Sequence, residues 1–124
     1  MVPELDDLGA IKACIDKYVE GSARGDRKLL EEIFLPTARM VGWFGGRCVD
    51  VPILEFFKMA DDNPQSDQGY RAELQSIQIT GTAAVATLAE NAYLNHDFVD
   101  YLSLIKSEDG WKIAHKSFHG EAGA

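Results

Sequence analysis

The sequence predicts an α+β fold: a cone-shaped, strongly curved antiparallel sheet wrapped around N-terminal helices, with a central pocket. Three observations lead there. Apolar residues at helical spacing are confined to the first half of the chain, whereas everything after Tyr70 reads as strands joined by short turns. Those strands run to about ten residues, longer than the usual five or six, and strands of that length twist and curve. Helices first and a meander after is the α+β order, with the helices on one face of the sheet. A curved sheet closed by helices leaves an apolar cavity.

Each element has its own signal. Leu8, Ile11, Ile15 and Tyr18 recur at helical spacing with Cys14 on the same side, predicting a helix over residues 5 to 22 that ends near Gly21 or Gly25. Arg24-Gly25-Asp26 reads as the turn out of it. Asp26 caps a short second helix, which turns Leu29, Leu30, Ile33 and Phe34 inward before Pro36 stops it. ARMVGWF and GRCVDV are short strands around a turn at Gly45 and Gly46. Asp50 and Pro52 open a third helix with Ile53, Phe56, Phe57 and Ala60 as its inner face, and DDNPQSDQG is a loop. YRAELQSIQIT, AAVATLAENAYL, HDFVDYLSLIK and WKIAHKSFH are the long strands, separated by Gly81-Thr82, Asn95 and Ser107 to Gly110.

The chain has 124 residues, 46% hydrophobic and 26% charged, which suits a single domain over residues 1–124 with a real core. Twelve basic against twenty acidic residues give −8, a balance that excludes nucleic acid and an anionic membrane surface as partners. No apolar run approaches the roughly 20 residues of a membrane span. The opening MVPELDDLGA lacks the basic-then-apolar pattern of a signal peptide, so a cytoplasmic location is expected. Cys14 and Cys48 are too few for a disulfide framework, and Cys14 reads as a buried reduced thiol.

The chemistry centres on Asp100, a carboxylate in mid-strand. Strict alternation aligns it with Phe98, Leu102 and Leu104, an apolar row facing inward. An ionised carboxylate there is costly, so the group pairs or takes a proton; a protonated acid can donate to a carbonyl oxygen that gains charge. The alternative is a structural bond to a neighbouring Tyr or Lys. Tyr18, on the apolar stripe of the first helix, is either a core tyrosine or a polar group converging on the pocket. Trp43, Phe44, Phe57, Phe98 and Leu102 are the candidate ligand contacts, with sheet packing as the plainer alternative. His115 and His119 share one strand face with Trp111, Ile113 and Ser117 if alternation is strict. At about 13 Å apart they cannot chelate one metal, and no metal site is expected.

The stretches DKYVEGSARGDRKLLEEIFLPTARMVG and FVDYLSLIKSEDGWKIAHKSF resemble the opening and ending of the nuclear-transport-factor-two-like superfamily of α+β cones, which includes ketosteroid isomerase and SnoaL-type cyclases. Within it the chain is similar to an uncharacterised bacterial group labelled "putative lumazine-binding". The resemblance implies a cystatin-like cone covering nearly the whole chain. Matched to ketosteroid isomerase, Tyr18 in KYVEGSARGD falls where that enzyme has its oxyanion-hole tyrosine, and Asp100 in VDYL where it has the protonated aspartic acid. The position of the base falls at or beside Gly42, where no carboxylate stands, and His115 becomes the candidate base. The implied function is binding of a small apolar or aromatic ligand. If catalytic, the protein is a cofactor-independent isomerase, lyase or cyclase acting on a hydrophobic carbonyl compound. The alternative is a non-catalytic interaction module. A homodimer is expected in either case.

Overall fold

A computed structural model describes residues 3–65 and 68–121. The apolar stripe read from the first helix is its buried face: α1 (Pro3–Arg24) turns Ile11, Cys14, Ile15 and Tyr18 inward. Asp26 accepts from the Leu29 amide at 3.2 Å and so caps α2 (Arg27–Ile33), whose buried residues are Leu30 and Ile33. A side-chain cap of this kind stabilises by about 1 kcal/mol. The hairpin of β1 (Arg39–Phe44) and β2 (Arg47–Pro52) turns at Gly45 and Gly46, whose φ values of 57° and 81° are those an L side chain resists. Asp50 does not open the next helix as expected. It lies in β2 and accepts from Arg39 Nε at 2.8 Å. α3 (Ile53–Asp62) begins after Pro52 and takes in Asp61 and Asp62, which the sequence placed in the loop.

The remaining strands are β3 (Arg71–Thr80), β4 (Ala83–Tyr93), β5 (His96–Ser107) and β6 (Gly110–Glu121). All belong to one six-stranded sheet of order β2-β1-β6-β5-β4-β3. Neighbours are antiparallel except β1 and β6, which run parallel, so the sheet is mixed rather than wholly antiparallel. Nothing forbids this. β1 and β6 are remote in sequence and no tight turn fixes their relative direction.

The sheet's curvature has local causes. Each of three long strands carries an irregularity that leaves residues without a cross-strand partner: Gln75 in β3, the stretch between Glu90 and Tyr93 in β4, and Ala114 in β6. Such bulges bend a strand and increase its twist. The helices fill the concave side, where Ala86, Leu88, Leu102, Leu104 and Ile113 meet Ile11, Ile15, Leu30 and Phe56 in one core cluster. The convex side is open, with Val99, Tyr101 and Ile105 exposed. Among the described residues no helix is long and apolar enough to cross a membrane. Burial raises the Cys14 thiol to about 11, so it stays a thiol at neutral pH, while Cys48 is exposed.

Candidate functional site

Alternation along β4 and β5 builds the site. Ala84, Ala86, Leu88 and Glu90 share the inward face of β4, and Phe98, Asp100, Leu102 and Leu104 that of β5. The register pairs Leu88 with Asp100 and Glu90 with Phe98, so the carboxyls of Glu90 and Asp100 are diagonal neighbours on one face. Both are buried, at 3% and 0% exposure. Each has a tyrosine. Tyr18, laid over the sheet by α1, donates its hydroxyl to Asp100 Oδ2 at 2.9 Å, and Tyr70 donates to Glu90 Oε2 at 2.5 Å.

Two buried acids side by side cannot both ionise cheaply. Burial, then the charge of Asp100, then proton sharing with it push the Glu90 carboxyl well above the usual carboxylate range; Lys116 and the Tyr70 bond oppose this only in part. Burial and its acidic neighbour thus favour the protonated form of Glu90. Asp100 Oδ1, also buried, has no well-aligned hydrogen-bond partner. The same burial and the nearby carboxyls raise the hydroxyls of Tyr18 and Tyr70, which act as donors and not as phenolates.

Glu90 opens onto a cavity of about 190 Å³. The wall is apolar, formed by Met40, Phe44, Val49, Met59, Phe98 and Phe118 among others. Its polar members are Glu90, Lys116 and Tyr93, whose buried hydroxyl has no partner. Lys116 is 5% exposed, and its Nζ sits 3.6 Å from the centre of the Phe56 ring and 5.2 Å from that of Tyr18. Among the described residues no cluster of His, Cys, Asp and Glu is placed to hold a metal ion.

The structure brings some of the sequence candidates together and separates others. Tyr18 and Asp100 are hydrogen-bonded, but they stand behind the cavity wall and not on it. Phe44 and Phe98 line the cavity with stacked rings 5.5 Å apart. Phe57 and Leu102 belong to the core instead, and Trp43, 54% exposed, lies on the outer side of β1. His115 faces away from the cavity. It pairs with Ser103, an outward residue of β5, because the Ala114 bulge reverses the alternation of β6 in mid-strand. Lys116 thereby pairs with inward Leu102 and Phe118 with Asp100. The vacant base position has a steric cause: a Cβ on Gly42 would lie 2.1 Å from the Phe118 carbonyl oxygen and 2.7 Å from its ring.

Sequence reasoning missed Glu90, Tyr70 and Lys116. Glu90 could have been found, since Ala84, Ala86 and Leu88 precede it at period two. Lys116 had a subtler signal. Ile113 and Phe118 are both apolar yet an odd number of residues apart, so they share a face only if an extra residue lies between them.

A family model described as "Putative lumazine-binding" matches residues 6–119. The chain belongs to this family. Its curated relative "Aldolase FrzH" from Cladobotryum sp is 30% identical over 117 residues, spanning 94% of this chain and 90% of that protein. Among solved structures, an NTF-2 like protein of unknown function from Silicibacter pomeroyi DSS-3 is 25% identical, with a TM-score of 0.89 over 98% of this chain and 100% of its own. A ketosteroid isomerase-like protein from Erwinia carotovora atroseptica SCRI1043 is 16% identical, with a TM-score of 0.69 over 94% and 97%, a likeness of fold alone. The family is thus one branch of the nuclear-transport-factor-two-like cones that the terminal motifs resemble.

Proposed function

We propose that the protein binds a small, mainly apolar carbonyl compound in the cavity and moves protons beside that carbonyl without a cofactor. The reaction class is that of an isomerase, lyase or cyclase. One observation carries this reading: a buried carboxyl, paired with a second buried acid that pushes it well above the usual carboxylate range, lines a mainly apolar cavity. A neutral acid donates a hydrogen bond to a carbonyl oxygen, and the bond strengthens as that oxygen gains enolate charge. Aldol addition, its reversal, double-bond migration and loss of water from a β-hydroxy ketone all pass through that charge. The aldolase relative supports the class. Tyr18 and Asp100 then act through Glu90 as positioning residues that keep its proton in place, and Tyr70 fixes its other oxygen. His115 has no part in this arrangement.

A lumazine fits the wall less well. Its dione ring presents alternating donors and acceptors along one edge, and three polar residues in an apolar wall satisfy few of them. The test is a thermal-shift series of cyclic enones, aryl ketones, lumazine and flavin. A ligand at 100 times its dissociation constant stabilises by about 2.7 kcal/mol, which raises the melting temperature by roughly 8 °C in a domain of this size. The ketones should give that shift, and Glu90→Met should weaken them about tenfold while leaving the matching hydrocarbons unchanged. Lumazine shifting the protein more than every ketone would sink the proposal.

A cytoplasmic setting belongs to this reading, supported by the unpaired thiols of Cys14 and Cys48. So does a homodimer formed across the outer sheet face, where Trp43, Val99, Tyr101 and Ile105 are exposed. Sedimentation at about 10 μM should show two copies; a monomer there removes the dimer from the proposal.

A further inference from the structure

Lys116 is the polar residue on the cavity wall whose surroundings are unexplained by folding. It is 95% removed from solvent, lies on a strand whose bulge turns it inward, and borders the cavity beside Glu90. A lysine kept there only to offset the carboxyl pair would close an ion pair with one of them. None is present: no hydrogen bond or ion pair to its Nζ occurs among the described residues, and its nearest partners are the faces of Phe56, Tyr18 and Phe118. Aromatic faces hold a cation without consuming its N–H donors or blocking the nitrogen. Lys116 and Glu90 both line the cavity, and the lysine nitrogen rests against the rings of Phe56 and Tyr18 at its back.

We infer that Lys116 is a covalent nucleophile, forming an iminium with the carbonyl carbon of the ligand. The inference rests on the reading of the cavity as a carbonyl site and specifies its chemistry. The ammonium first gives one proton to the Glu90–Asp100 carboxyl pair. The free amine then adds to the carbonyl carbon, forming the C–N bond as the C=O π bond breaks, and the oxygen takes up the second amine proton to give a carbinolamine. Glu90 returns the proton it holds to that oxygen. The C–O bond breaks and water leaves. One ammonium and one carbonyl have become one iminium and one water, with the carboxyl pair restored. An iminium withdraws electrons from the neighbouring carbon more strongly than a ketone does, which is what breaking or making a carbon–carbon bond at that position requires.

The probe is 1-phenylbutane-1,3-dione, a diketone whose adduct with an amine is a conjugated enaminone with its own near-ultraviolet band. Incubation with the intact protein should produce that band. Mass spectrometry should show one adduct per chain, heavier by the diketone less one water, and peptide mapping should place it on Lys116. Lys116→Met should lose the adduct. If that variant fails to fold, the map of the unaltered protein still locates the modified lysine. A diketone that raises the melting temperature without forming an adduct overturns the covalent role and leaves the carbonyl site standing. Neither shift nor adduct takes down both. An adduct spread over several surface lysines also overturns the assignment.

Discussion

Gly42→Ala is expected to lower the stability of the folded chain by about 3 kcal/mol or to prevent folding. The added methyl would lie 2.1 Å from the carbonyl oxygen of Phe118, a backbone atom held by the parallel pairing of β1 with β6, and 2.7 Å from the Phe118 ring. Neither can step aside without opening the β1–β6 ladder. Urea denaturation measures the loss, and Gly9→Ala serves as the control, because nothing lies within 4 Å of a methyl at Gly9. A loss at Gly42 below about 1 kcal/mol would show that the sheet yields locally. The same clash bears on chemistry. Gly42→Asp would not supply the missing isomerase base, since the position rejects a side chain of any kind.

Stability in this protein should fall as pH rises from mildly acid values, and Glu90→Gln should remove that fall. The carboxyl of Glu90 is raised in the folded chain from an ordinary value of 4.5, chiefly by burial and by the charge of Asp100. Between 4.5 and the raised value, the folded chain keeps a proton that the unfolded chain has released. Folding then takes up a proton, so its free energy weakens by about 1.4 kcal/mol for each pH unit in that window. Below the window both states are protonated and the effect vanishes. Glutamine keeps the shape and cannot ionise. The stability difference between the Gln variant and the unaltered protein should therefore be small near pH 4.5, grow in favour of the variant as pH rises above it, and level off once Glu90 ionises in the folded chain. Parallel curves over that range would mean that Glu90 ionises as readily folded as unfolded, and its role as a neutral acid would fall with that result.

What was legible in the sequence depends on which physical signal each residue carries. The helices were legible because Ile11, Ile15 and Tyr18 on one side, and Phe56, Phe57 and Ala60 on another, repeat at a period that only a helix buries. Asp100 was legible because one polar residue in an apolar row is conspicuous. Its bond to Tyr18 links residues 82 positions apart, and the motif resemblance, not the local pattern, suggested that meeting. Lys116 and His115 exchanged places because strict alternation carries no mark of a bulge. Phe57 and Leu102 were placed on an inner surface correctly, but an inner surface has both a filled part and an empty part, and residue periodicity does not distinguish them. The parallel contact of β1 with β6 was beyond any local pattern, since it is decided by how the helices return the chain to the sheet.

The bulge in β6 separates two properties of the cavity that are usually tied together. Ala114 is the unpaired residue, with Ile113 opposite Leu104 and His115 opposite Ser103 on either side of it. Shortening the strand by that residue leaves every remaining partner, and so every inward face, where it is: Ile113, Lys116 and Phe118 keep their direction. What changes is the bend. Reactivity along this strand is written in the identity of the residues that point inward, and the width of the cone in the count of residues between them. Descendants of such a chain can thus acquire larger or smaller ligands through an insertion or deletion at one place, without a single substitution among the groups that do the chemistry.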